Sequence, residues 1–106
     1  MEKRSTEELI PELYDTILRL KTREDCAAFF ADLCTYKEVE QMAQRLAAAK
    51  LLLAGKTYLQ VIDSVEISSA TLSRVSRAVQ FGDGYARVLD PEMERPADWS
   101  SFPEEA

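Results

Sequence analysis

Residues 57–77 carry two short helical patterns separated by a tight turn, and no other part of the sequence restricts the fold as strongly. Thr57 and Gln60 have the spacing of a capping box, which predicts the start of a helix. Val61, Ile62 and Val65 continue it with an apolar stripe at helical spacing. The first pattern therefore predicts a short amphipathic helix.

The second pattern begins at Ser68, a typical N-cap, after Ile67 has placed one apolar side chain in the turn. Leu72 and Val75 are expected to face inward, because they lie three residues apart in a run of helical periodicity. The helix is expected to end after Gln80, before a glycine-rich turn. Together the two patterns predict a helix-turn-helix over about residues 57–80.

The outward face of the second helix combines small, hydroxyl and arginine side chains, which is typical of a recognition helix. Small residues let a helix enter the major groove, hydroxyl groups reach bases or phosphates, and guanidinium groups hold phosphates or read guanine. The residues predicted to contact double-stranded DNA are Ser68, Ser69, Ala70, Thr71, Ser73, Arg74 and Arg77. Two helices joined by a short turn are also common in all-helical proteins, so a purely structural role stays open.

Two residues depart from the usual pattern of such turns. Glu66 stands where many of them have a glycine with a positive φ angle, which costs a non-glycine residue energy. Ile62 stands where a small residue usually allows the two helices to approach each other. Together they predict a slightly splayed or adapted motif.

The composition favours a single all-α domain. The chain has 106 residues with only three glycines and four prolines, and it is rich in alanine and leucine. We expect residues 1–90 to form this domain. Residues 91–106 are acidic and contain proline, so we expect them to form a flexible tail.

The residue types present disfavour catalysis, metal binding and membrane insertion. No histidine occurs, which removes the commonest general base and metal ligand. We therefore predict no catalytic residue, metal site or cofactor, and the chain is not expected to be an enzyme.

Cys26 and Cys34 are expected to be small buried side chains in a reducing cytosol. No apolar run is long enough to span a bilayer and the first residues are charged, so we expect a cytoplasmic protein with no membrane partner.

The net charge of −6 is unevenly distributed along the sequence. Residues 1–44 carry a charge of −4, residues 45–90 carry +2 and residues 91–106 carry −4. The positive excess coincides with the helix-turn-helix, and charges act only over a Debye length of about 8–10 Å. The acidic remainder is thus compatible with DNA binding, but it predicts modest affinity for non-specific DNA.

Further helices are predicted on both sides of the helix-turn-helix. Residues 8–20 form an amphipathic pattern with Pro11 in the first turn, where the missing N–H is harmless. A start signal at Thr22 predicts a second helix, and a capping box that begins at Thr35 predicts a third. One more short helix is predicted over residues 85–89.

The third helix is expected to end at Gly55, which is a typical C-cap. The helices before the helix-turn-helix carry apolar side chains at several angles around their axes. So much apolar surface favours a homodimer over a compact monomer.

Four short motifs resemble the tryptophan-repressor superfamily, and most closely the YerC/YecD branch of TrpR-like proteins. The similarity covers about residues 10–90. The motifs are Leu33-Cys34-Thr35, Gln44-Arg45-Leu46, Gly55-Lys56-Thr57-Tyr58 and Ala70-Thr71-Leu72-Ser73-Arg74-Val75. The resemblance implies an all-α, intertwined homodimer whose paired helix-turn-helix heads bind operator DNA, usually to repress transcription.

The resemblance also implies a ligand site. Two arginines flank the corepressor in the tryptophan repressor; Arg45 and Arg74 match these positions, and Thr35 matches a nearby hydroxyl. The glycine that leaves room for the indole is Val75 here, and the serine that helps to hold the ammonium group is Ala78. These changes oppose tryptophan binding, so we expect no response to tryptophan. We expect the two arginines to serve packing, phosphate contact or an unknown small-molecule effector.

Two other functions remain open. The helix-turn-helix could be a docking surface for another protein, since Trp99 and Phe102 resemble an aromatic-anchored peptide motif. Trp99 could equally fold back on its own domain. Alternatively, the chain could be a small-molecule sensor with its ligand near Arg45 and Arg74.

Overall fold

The computed structural model describes residues 2–89. Within them it contains six helices and no strand, which confirms the predicted all-α fold. The helices are α1 (Thr6–Ile17), α2 (Arg23–Leu33), α3 (Tyr36–Leu53), α4 (Tyr58–Ser64), α5 (Ser69–Phe81) and α6 (Gly84–Val88). None of them is long and apolar enough to cross a membrane. The tail predicted over residues 91–106 lies outside the described residues.

Helix α1 begins earlier than the sequence pattern predicted. The Ser5 hydroxyl accepts a hydrogen bond from the Glu8 backbone N–H at 3.3 Å, and the Glu8 carboxylate accepts one from the Ser5 backbone N–H at 3.0 Å. These contacts stabilise the carboxylate and lower the pKa of Glu8.

The prediction that Pro11 lies in the first turn is wrong, because the helix starts at Thr6 and Pro11 lies inside it. Its ring deprives the Glu7 carbonyl of the usual intrahelical donor.

The predicted starts of α2 and α3 are confirmed by their caps. The Thr22 hydroxyl accepts a hydrogen bond from the backbone N–H of Asp25 at 3.0 Å. The Thr35 hydroxyl accepts one from the backbone N–H of Glu38 at 3.1 Å, and the Glu38 carboxylate accepts one from the Thr35 backbone N–H at 2.8 Å. The reciprocal contact completes the predicted capping box.

The C-terminus of α3 is closed by a Schellman motif. Gly55 has a φ of 90°, a conformation that side chains rarely adopt. The Lys56 N–H donates to the Leu51 carbonyl and the Gly55 N–H donates to the Leu52 carbonyl, each at 3.0 Å. The chain therefore turns sharply out of α3 towards the start of α4.

The chain divides into two compact units, Met1–Val39 and Glu40–Ala106. In the first, none of residues 2–39 is buried in the single chain, and the two free cysteines are half-buried rather than buried as predicted. The large apolar side chains exposed there are Leu9, Ile10, Leu13, Tyr14, Leu18, Leu33 and Tyr36. This unit therefore has no hydrophobic core of its own.

The second unit contains the hydrophobic core. The buried apolar residues are Ala48, Ala49 and Leu51 of α3, Val61 of α4, Leu72 and Val75 of α5, and Leu89 after α6. Because every helix of this unit contributes to or adjoins the cluster, the core fixes the orientation of α5.

Candidate nucleic-acid interface

Helices α4 and α5 form the predicted helix-turn-helix, joined by residues 65–68. The Thr57 hydroxyl accepts a hydrogen bond from the Gln60 backbone N–H at 3.2 Å, and the Gln60 side-chain oxygen accepts one from the Thr57 backbone N–H at 2.9 Å. The Ser68 hydroxyl accepts one from the Thr71 backbone N–H at 3.1 Å. Both predicted helix starts are thus confirmed by their side-chain caps.

The turn between α4 and α5 is built without a left-handed residue. No non-glycine residue among residues 2–89 has a positive φ, so Glu66 does not carry the strain expected from its position. Val65 and Ile67 pack against the core. The predicted inward orientation of Ile62 is wrong: Val61 is fully buried, whereas Ile62 is 43% exposed. The residues of the predicted apolar stripe that pack in or against the core are Val61 and Val65, which are four positions apart.

Helix α5 divides cleanly into an inward and an outward face. Leu72 and Val75 are buried as predicted, and Ser76 is buried beside them. Of the residues predicted to contact DNA, Thr71 is half-buried and the others are exposed, namely Ser68, Ser69, Ala70, Ser73, Arg74 and Arg77. The structure therefore presents one surface that is rich in small, hydroxyl and guanidinium groups.

The hydroxyl of Ser68 is used locally. It caps α5 and also donates a hydrogen bond to the Thr71 hydroxyl at 2.9 Å. Ser68 therefore orients the first turn of α5, and Thr71 keeps a lone pair for a further donor.

A hydroxyl network that the sequence pattern did not predict joins α4 to α5. The Tyr58 hydroxyl interacts with the hydroxyls of Ser76 and Ser73, and these interactions lower the pKa of Tyr58. The Gln80 amide donates to the buried Ser76 hydroxyl at 3.1 Å. Tyr58 ends the motif Gly55-Lys56-Thr57-Tyr58. No spacing in the sequence predicts its contacts with Ser73 and Ser76, which lie fifteen or more positions away.

A polar cleft of about 470 Å³ brings together Arg45 of α3 and Arg74 of α5. It is lined by Gln41, Gln44, Arg45, Glu66, Ile67, Ser68, Thr71 and Arg74. Val75 is buried in the core instead, and Ala78 is exposed elsewhere on α5. Thr35 does not line the cleft; its hydroxyl caps α3. Gln41, Gln44 and Glu66 were not predicted to lie there, because only the packing of α3 against the start of α5 brings them together.

The described part of the second unit, residues 40–89, carries a net positive charge. Residues 40–89 carry six basic and four acidic side chains. Arg87 approaches Asp83 at 3.9 Å, whereas Arg45, Arg74 and Arg77 form no ion pair within the described part of the chain. The guanidinium groups of α5 are therefore available to an external anion.

Residues 2–89 contain no group of three or more side chains suited to hold a metal ion.

Comparisons with known proteins give consistent matches over most of the chain. A family model described as Trp repressor protein matches residues 8–93. YerC, an uncharacterized protein of Bacillus subtilis (strain 168), is 41% identical over 93 residues, which cover 87% of this chain and 89% of YerC.

Two solved structures have a similar fold. A candidate Trp repressor from Staphylococcus aureus has a TM-score of 0.77 and 40% identity, covering 88% of this chain and 98% of its own. A TrpR-like protein from Eubacterium eligens ATCC 27750 has a TM-score of 0.76 and 37% identity, covering 81% and 90% respectively. The similarity therefore extends over nearly the whole of each compared chain.

Proposed function

This chain belongs to the Trp repressor protein family, a superfamily of helical DNA-binding regulators, and we propose that it is a sequence-specific transcriptional repressor. In this proposal it acts in the cytoplasm as a homodimer and has no catalytic role. The observation that carries the proposal is the outward face of α5, which has no carboxylate and two arginines that form no ion pair within residues 2–89. Leu72 and Val75 hold the opposite face in the core, so the outward face points away from it.

The proposed binding mode places the N-terminal half of α5 in the major groove. Ser69, Ala70 and Thr71 lie in the first turn, where the helix of such motifs meets base edges. Ala70 is small enough for close approach, and the hydroxyls can donate to or accept from bases. Arg74 and Arg77 lie one and two turns further on and would contact phosphates, which position the helix on the duplex.

The exposed apolar surface of the first unit supports a homodimer. Residues 2–39 include no buried side chain, and seven of their large apolar side chains are exposed. A second copy of the chain would cover this surface by the hydrophobic effect. Two copies of α5 would then read half-sites one helical turn apart, which multiplies the few contacts that one short helix can make.

We expect Arg77→Ala to weaken binding to all duplexes alike, because the proposed contact is to phosphate. The slope of log affinity against log salt should fall by about one unit for each protomer. Fluorescence anisotropy over a salt series measures this with an operator and with random duplexes. Arg87→Ala is the matched control, since it removes the same charge from an exposed side chain on α6. A change in sequence preference in Arg77→Ala would assign Arg77 to base readout instead.

We expect no stabilisation of this protein by tryptophan. The cleft beside Arg45 and Arg74 has one apolar lining residue, Ile67, whereas pockets that take a ring have mostly apolar walls. Val75, which matches the glycine that leaves room for the indole in the tryptophan repressor, packs in the core. Thermal unfolding with a metabolite panel tests this, since a ligand at a hundred times its Kd stabilises by about 2.7 kcal/mol. A tryptophan-dependent rise in Tm that is lost in Arg45→Ala would contradict the expectation.

A protein-docking module is the second candidate, and the outer surface of α4 favours it. Leu59 is 70% exposed and Ile62 is 43% exposed, one turn apart on this short helix. An apolar pair of this kind is typical of helix-mediated contacts. Retained dimerisation without binding to any duplex would favour this candidate over the repressor.

A further inference from the structure

We propose that the outward face of α5 is also the docking site of the chain's own acidic segment, residues 90–106. The proposal rests on the proposed function, because the docked segment would occupy the arginines that DNA needs. The docking surface contains Arg74 and Arg77. Its occupant is a peptide that carries carboxylates and aromatic rings.

Charge complementarity is the first argument for this occupant. Residues 90–106 carry six acidic side chains and one basic side chain, a net charge of −5. The 13-residue helix α5 carries two arginines and no acidic residue. Those arginines have no ion-pair partner within residues 2–89. Guanidinium groups bind carboxylates through paired, charge-assisted hydrogen bonds.

The point of attachment is the second argument. Leu89 is 9% exposed and belongs to the same core cluster as Leu72 and Val75 of α5. Helix α6, which leads to it, packs directly against α5. The last described residue before the acidic segment therefore lies beside α5, on the side of its buried residues Leu72 and Val75.

The length of the segment is sufficient. Seventeen residues reach at most about 56–61 Å, whereas α5 is only about 20 Å long. A tether of this size gives an effective concentration on the order of millimolar. Even a weak association would thus be substantially populated within one chain.

The two aromatic residues give the segment a second mode of binding. Trp99 and Phe102 lie among its carboxylates, and an arginine stacks on the face of such rings. Trp99 is also the only tryptophan of the chain. Its fluorescence therefore reports the segment without any label.

The first test measures quenching of Trp99 fluorescence by acrylamide in the full-length chain, without DNA. In the docked state Trp99 is shielded, so the double variant Arg74→Ala/Arg77→Ala should increase the quenching constant about twofold, as should high salt. Arg87→Ala is the matched control and should leave the constant unchanged. Equal quenching in all chains at low and high salt would overturn the proposal.

The second test measures DNA affinity with a neutral-segment variant. Its changes are Glu92→Gln, Glu94→Gln, Asp98→Asn, Glu104→Gln and Glu105→Gln. At about 50 mM salt this variant should bind duplexes about fivefold more tightly than the natural chain, and less than about twofold more tightly at 200 mM. A charge-retaining control exchanges Glu for Asp, and Asp for Glu, at the same five positions and should match the natural chain.

The two tests separate failure of this proposal from failure of the proposed function. If Trp99 quenching responds to the arginines but neither chain binds DNA, the docking proposal holds and the repressor proposal fails. If both chains bind DNA with equal affinity and Trp99 quenching is unchanged, the repressor proposal holds and the docking proposal is overturned.

Discussion

Leu72→Ala should lower the free energy of unfolding by about 2–5 kcal/mol, the range for truncation of a fully buried leucine. Leu72 has no exposed surface and belongs to the core cluster found among residues 2–89. The truncation leaves a cavity between α5 and the helices that support it, so DNA affinity should fall as well. Urea unfolding followed by circular dichroism measures the change.

Leu59→Ala is the matched control for the core substitution. Leu59 is 70% exposed, so the same chemical change should alter the free energy of unfolding by less than about 0.5–1 kcal/mol. Equal losses in the two variants would contradict the placement of the core. A selective effect of Leu59→Ala on binding of a protein partner would instead support the docking alternative.

Leu13→Lys should dissociate the proposed homodimer. Leu13 lies on the apolar side of α1 and is 37% exposed in the single chain. An unpaired charge in an apolar interface costs on the order of 3 kcal/mol, and two-fold symmetry introduces it twice. The dimer dissociation constant should therefore rise by at least about a thousandfold, which sedimentation equilibrium measures directly.

Asp15→Lys provides the control on the opposite side of α1. Asp15 is exposed and lies about 160° from Leu13 around the helix, calculated at 100° per residue. We expect this variant to remain dimeric and to bind DNA. A monomeric natural chain, or equal effects of the two lysines, would contradict a dimer that buries the apolar face of α1.

The sequence predicted the helix-turn-helix well because its signals are local. The caps at Thr57 and Ser68 involve residues three positions away, and the inward positions of Leu72 and Val75 follow from helical periodicity. Such features depend on neighbours in the chain rather than on the remainder of the fold. Of the seven residues predicted for this surface, six are exposed and Thr71 is half-buried, which follows from the same periodicity.

The errors arose where two local signals compete. The apolar periodicity of residues 8–20 predicts a later start for α1, but the capping box at Ser5 starts the helix earlier and places Pro11 inside it. Helical spacing places Val61, Ile62 and Val65 in one apolar stripe, although a seven-residue helix has room for few inward positions. Periodicity alone does not decide which neighbouring apolar residue is buried.

Contacts between distant residues could not be predicted from the sequence. The network of Tyr58, Ser76 and Gln80 requires α4 and α5 to cross at a particular angle. The cleft requires α3 to lie beside the start of α5, which places Glu66 near Arg45. These contacts depend on helix packing, which no single motif encodes.

In vitro selection of bound duplexes from a random DNA pool at physiological salt tests sequence-specific binding by a dimer most directly. The natural chain should enrich a motif with two-fold symmetry, whose half-sites lie about one helical turn apart. Arg74→Ala, run in parallel, should lose this enrichment, while Arg87→Ala should retain it. Failure of the natural chain to enrich any motif would contradict the proposed repressor.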